Sequence, residues 1–188
     1  VSRTHPLDHH FALVTLFEIM DVAARADLKA DVLKDLERQK HLLDSYRGNP
    51  SISESALNAI IAQLDRCFTA LSNQSGKAGQ ALTDNEWLMG IRSRLGIPGG
   101  TCGFDLPGYH AWQHSDPTYR QRALETWAST MAPLAESIYL LLKMLRDAGV
   151  QFSDIGWYEL NEACAAQSLA VMNTLGLDPA KVNPMGGA

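Results

Sequence analysis

In "LETWASTMAPLAESIYLLLKML", residues 124–145, the apolar positions Leu124, Trp127, Met131, Leu134, Ile138, Leu141 and Leu145 recur at alternating intervals of three and four. That spacing places one apolar stripe along a helix, suited to packing lengthwise on a neighbouring helix. Just upstream, Asp116-Pro117 supplies a start: a capping carboxylate, then a ring whose missing N–H costs nothing in the first turn. The pattern predicts one long helix over 117–147, kinked where Pro133 removes a backbone donor.

Outward from that seam the helical period repeats. Asp8 to Arg25 carries Phe11, Val14, Leu16, Phe17, Ile19, Met20 and Val22 behind a capping aspartate. Asp27 opens a second segment, whose stripe Leu28, Val32, Leu33, Leu36 and Leu43 lies opposite Lys29, Lys34, Glu37, Arg38 and Lys40. "GNPS" at 48–51 ends it, and Ser53-Glu54 starts a third segment in which Leu57, Ile60, Leu64, Cys67 and Leu71 step by three and four. These two predict an antiparallel hairpin. A polar linker, "SNQSGKAGQ" at 72–80, precedes a shorter helix with Thr83-Asp84 as its cap and Trp87, Leu88, Ile91 and Leu95 as its stripe. The expected fold is all-α, an antiparallel helical bundle.

Composition narrows the class. The 188 residues are 46% apolar and 20% charged, an ordinary folded composition for roughly one domain plus an appendage. A net charge of -5 argues against a nucleic-acid partner, whose phosphates need a basic footprint. Cys67, Cys102 and Cys164 are scattered and form no C-x-x-C pair, so neither a disulfide framework nor a four-cysteine zinc site is expected. "VSRTHPLDHH" lacks the apolar core of an export signal, and no apolar run approaches the roughly 20 residues of a membrane span. A cytoplasmic protein without membrane partner is expected; the valine start and the "GGA" ending read as a fragment.

Between the shorter helix and the long one lies "IPGGTCGFDLPGYHAWQH", 97–114, rich in turn-formers and potential ligands. His110 and His114 are four apart, one helical turn, but Ala111 stands where a zinc protease carries glutamate, and the third ligand would have to be Asp105 or Cys102. The segment has neither glycine pattern of a phosphate-binding loop. Cys102 has no base beside it in sequence and reads as structural rather than nucleophilic. His5, His9 and His10 have no metal spacing and read as surface histidines. Arg92, Arg94, Arg120 and Arg122 bracket the segment, opposed nearby by only Asp105 and Asp116; a local cationic face competes here with scattered surface charge.

Three stretches carry a resemblance: "ADLKADVLKDLERQKHLLDSYRGNP" (26–50), "SRLGIPGGTCGFDLPGYHAWQH" (93–114) and "ETWASTMAPLAESIYLLLKMLRDAG" (125–149). Together they resemble the ZapD family of bacterial cell-division proteins over about residues 7–149. The resemblance implies a non-enzymatic cytoplasmic homodimer at the division septum, without cofactor, that binds the C-terminal tail of FtsZ and crosslinks FtsZ protofilaments. It implies partner-binding roles for His110, Arg92 and Arg94; Arg120 and Arg122 join the candidate partner-binding residues on the local charge pattern. Glu86 departs from the pattern by standing where a relative has an arginine. The family's additional basic N-terminal helix and its β-rich domain are not expected in this chain.

From about residue 150, "DIGWYELNEACAAQSLAVMNTLGLDPAKVNPMGGA" resembles a C-terminal piece of a thiolase, with Asn161 at the oxyanion asparagine and Cys164 in place of a phenylalanine. The expected organisation is a ZapD-like helical domain over 1–149 and a thiolase-like tail over 150–188 with an amphipathic helix near 158–175. The alternative reading, a thiolase-like acyltransferase, fails on chemistry: acyl transfer needs nucleophile, base and oxyanion donors together.

Overall fold

The computed structural model describes residues 3–25, 28–149, 172 and 177–183. The chain divides into two compact units, Val1–Leu141 and Leu142–Ala188. Eight α-helices and no β-strand occur among the described residues, so the fold is all-α. The helix expected near 158–175, with Asn161 and Cys164, falls outside the described residues save for Met172.

Within the first unit, α1 (Pro6–Arg25) packs against α2 (Leu28–Asp44), α5 (Glu86–Leu95), α6 (Pro107–Gln113) and α7 (Pro117–Ser129). Its inward face is His9, Leu13, Leu16, Phe17, Met20 and Ala23, all nearly inaccessible to water. Leu7, Phe11, Ile19 and Val22 lie opposite and exposed. Because α1 is apolar on both faces, the composition of the stripe could not say which face turns inward.

The hairpin of α2 with α3 (Glu54–Ser72) is antiparallel, as its cross-links reveal. Lys29 donates to the Gly76 carbonyl at 3.0 Å, Lys40 to Asp65 at 2.6 Å and Arg47 to Asn58 at 2.7 Å. Partner numbers fall as the α2 numbers rise. Ser53 caps α3 through the Ala56 N–H. After the linker, Gln80–Thr83 forms a single turn, α4, and the cap of α5 is Asn85 rather than Thr83-Asp84, its side chain accepting from the Leu88 N–H at 3.0 Å.

The long kinked helix expected over 117–147 is instead two helices, α7 and α8 (Ala132–Asp147), separated at Thr130–Met131. Pro133 cannot donate to the Ser129 carbonyl, and its ring crowds that carbonyl, so the ladder stops. Thr130 and Met131 close the end of α7 with tighter turn bonds to Trp127 and Ala128. The Thr130 carbonyl turns to Gln74 Nε2 at 2.7 Å, and buried Met131 converges with Met20 on Gly79. Tertiary packing thus turns a kink into a break.

Described parts of the second unit are brief. The end of α8 closes at Gly149 (φ +81), and Asp178 caps a short 3-10 turn, Pro179–Lys181. No helix among the described residues is long and apolar enough to cross a membrane.

Candidate functional site

The segment 97–114 is half loop and half helix. Its loop, 97–106, is a chain of closed turns: Ile97 donates to the Arg94 carbonyl, Gly100 to Ile97, Cys102 to Gly99, and Asp105 and Leu106 to Cys102, all at 2.8–3.1 Å. Gly99 adopts φ +74, which side-chain-bearing residues rarely do. A Cβ on Gly100 would sit 2.6 Å from the Arg94 carbonyl oxygen, so only glycine fits there. One on Gly103 would meet the His110 ring at 3.0 Å. The loop therefore runs in fixed shape from the end of α5 to the imidazole on α6.

The helical half of the segment enters an aromatic cluster. Trp87 of α5, Trp112 of α6 and Trp127 of α7 meet with ring centroids 5.4–6.0 Å apart. Tyr109 stacks on Trp112 at 5.9 Å and shares a 2.6 Å hydrogen bond with His10 Nδ1 of α1. Burial pushes the Tyr109 hydroxyl up to about 12, against a smaller opposing effect of a hydrogen bond with Gln113.

The sequence-derived site residues fall into two groups. Arg120 is buried at 3% exposure and its donors are taken up internally: Nε–H by His9 Nδ1 at 2.8 Å, Nη1 by the Gln113 carbonyl at 2.9 Å and the Ser115 carbonyl, Nη2 by the Thr4 carbonyl at 2.7 Å. It fastens the N-terminal segment to the α6–α7 turn. Arg92 is half-exposed and paired with Asp21 of α1. Arg94, Arg122 and His110 are exposed, and neither arginine has a carboxylate partner among the described residues. Arg92 and Arg94, two positions apart on α5, project roughly 200° from each other. Arg94 and His110 are joined by the loop; Arg92 belongs to the α1–α5 seam.

His9, which reads in sequence as a surface residue, is buried at 1% exposure with Nε2 donating to the Arg3 carbonyl at 2.7 Å. A signal was available: His9, Leu13, Leu16, Met20 and Ala23 step by four and three, which puts the imidazole on the core stripe. Phe104, also unremarked in sequence, is 94% exposed. The charge pattern has no term for either.

Other chemistries find little support in the geometry. The His110 and His114 rings lie 4.2 Å apart, His114 Nδ1 being bonded to the His110 carbonyl. Among the described residues no group of three or more His, Cys, Asp or Glu is placed to hold a metal ion. The Cys102 thiol donates to Asp105 at 3.4 Å. Burial holds the Cys67 thiol above its ordinary range, with a smaller opposing effect of Ser137 nearby, so it is poorly suited to act as a nucleophile.

The model of the cell division protein family ZapD matches residues 1–171. The cell division protein ZapD of Azoarcus sp. (strain BH72) is 48% identical over 161 residues, 84% of this chain and 64% of the relative. The ZapD proteins of Chromobacterium violaceum and Ralstonia nicotianae are 48% and 51% identical over 149 residues, 79% of this chain and 59% of each relative. The chain spans about three-fifths of the length of these curated relatives.

Proposed function

The chain belongs to the ZapD family, a family of cell division proteins and not of enzymes, and on that premise we propose that it is an accessory of the division ring. In this reading it docks the C-terminal tail of FtsZ and, as a homodimer, crosslinks FtsZ protofilaments at the cytoplasmic face of the septum, without cofactor, nucleic acid or membrane partner. The observation that carries the docking part is the exposed Arg94, with no carboxylate partner among the described residues, joined to exposed His110 by a loop of fixed shape. Arg122 adds a second exposed cation, while Arg120 and Arg92 act through position, the first holding the N-terminal segment and the second the α1–α5 seam. A preorganised, locally positive surface suits capture of a disordered acidic segment.

Residues 1–149 are proposed as the docking body and 150–188 as an appended tail without thiolase chemistry. Co-sedimentation with FtsZ polymers tests the reading: this chain is expected in the pellet with full-length FtsZ and in the supernatant when the FtsZ tail is deleted. Equal pelleting with both polymers would remove the tail as the docking element.

A further inference from the structure

Helix α1 carries two neighbouring histidines that are bonded in different ways. His10, half-buried, shares the 2.6 Å hydrogen bond between its Nδ1 and the Tyr109 hydroxyl of α6. A phenol both donates and accepts, so that bond survives a proton on His10 once the hydroxyl turns round. His9, at 1% exposure, has no such freedom. Its Nδ1 accepts from Arg120 Nε of α7 at 2.8 Å, and a guanidinium has only donors; its Nε2–H goes to the Arg3 carbonyl at 2.7 Å. A second proton on this ring would set N–H against N–H and cation against cation, in a place closed to water.

The same pair ties down the residues ahead of α1. Arg120 Nη2 donates to the Thr4 carbonyl at 2.7 Å, His9 to the Arg3 carbonyl, and Gln121 Nε2 to that Arg3 carbonyl at 3.1 Å. Through Nη1 the guanidinium also holds the Gln113 and Ser115 carbonyls, so the tie reaches the end of α6. The other charged and titratable groups near the imidazole are engaged elsewhere. Asp8 of α1 pairs with Arg3 at 3.2 Å, and His5 Nδ1 accepts from the Leu7 N–H at 3.2 Å. Tyr109 of α6 serves His10, and Asp116, which senses the charge of Arg120, caps α7 through the Thr118 and Tyr119 N–H groups. The Trp112 ring of α6 faces His9 at 6.3 Å and brings no charge.

We propose that His9 is a proton-operated latch: with the neutral imidazole in place, His9 and Arg120 hold residues 3 and 4 against the α6–α7 turn, and protonation of His9 releases them while the helices stay packed. The latch stands apart from the docking reading. Its sign follows from the hydrogen bonds. The closed state needs the neutral ring, so the tie is complete above the ordinary imidazole value of about 6.5 and is lost on the acid side. Release is local because the next inward positions of α1, Leu13, Leu16, Phe17 and Met20, carry no titratable group. Of the three hydrogen bonds on the segment it removes the two part-buried ones and leaves the exposed one from Gln121.

Backbone 15N relaxation on the full chain at about pH 7.5 and about pH 5, on either side of the imidazole value, tests this. The companion variant is His9→Gln, whose amide can accept from Arg120 and donate to Arg3 without titrating. In the unaltered chain the order parameters of the Thr4 and His5 amides are expected to fall from about 0.85 to below about 0.6 in acid, with helicity by circular dichroism unchanged. In His9→Gln they are expected to stay high at both pH values. Undiminished order at the acid pH in the unaltered chain would overturn the latch, and so would an equal loss in His9→Gln, which places the titrating group elsewhere. Helicity lost together with the segment would mean general acid unfolding and would overturn it too. If His9→Gln does not fold, His10→Gln decides: release retained supports His9 as the latch, and release abolished moves the role to His10 and ends the proposal.

Discussion

Arg120 is a cation kept in the interior with its donors on three carbonyls and an imidazole. A guanidinium only donates, so its Nε–H fixes His9 Nδ1 as acceptor and leaves Nε2–H to reach the Arg3 carbonyl. Replacing Arg120 by Met keeps the volume but strands three carbonyls and an imidazole, an expected cost on the order of 3 kcal/mol in urea unfolding. Arg122→Met, two positions on and exposed, is expected within about 0.5 kcal/mol; equal losses would refute the distinction. Tyr109 makes the corresponding case at alkaline pH. With its folded-state value raised to about 12, the protonated phenol contributes stability that is complete below the unfolded value near 10 and is lost as pH rises through 12. The difference in absorbance at 295 nm between the unaltered chain and Tyr109→Phe should titrate near 12; a midpoint near 10 would mean the hydroxyl is solvated. The sequence carries a signal for His9, which lies on the apolar stripe of α1, but none for its pairing with Arg120, which counts there only as charge. Burial is a long-range outcome, and 111 residues of chain separate the two partners.

Elements were the most legible scale, because the helical period and the caps are local. Ser53 and Asp116 cap the helices their positions suggest, and the α2–α3 hairpin follows from two facing stripes. The largest error has an identifiable cause. A seam unbroken from Leu124 to Leu145 reads as continuous helix, but periodicity does not record which backbone carbonyl finds another partner. At Thr130 that partner is Gln74, 56 residues away, and at Met131 the packing is with Met20 and Gly79. If packing rather than Pro133 holds the break, Met131→Ala should cost about 2–5 kcal/mol, as cavity-forming core changes do. Pro133→Ala should cost under about 1 kcal/mol, mainly through a freer unfolded chain. A reversed order in urea unfolding would make the proline the cause.

For the whole molecule, a net charge of -5 means that any attraction of an acidic tail is local and opposed at longer range. Composition argued against a nucleic-acid scaffold, yet it could not place the cations: Arg92, Arg94, Arg120 and Arg122 lie in a seam, on the surface, in the interior and on the surface again. Exposed pairs are screened as the Debye length shrinks from about 10 Å at 0.1 M salt to 3 Å at 1 M. Tail binding through these exposed cations should therefore weaken steeply with salt. The proposed crosslinking makes a further demand. One chain carries one loop 97–106, so joining two protofilaments needs two copies, whose linkage also raises avidity. Light scattering at the concentration that bundles FtsZ is expected to give twice the 20.6 kDa of one chain. A chain that bundles filaments while scattering as a monomer would need a second docking face, and the one-loop-per-copy arrangement would be wrong.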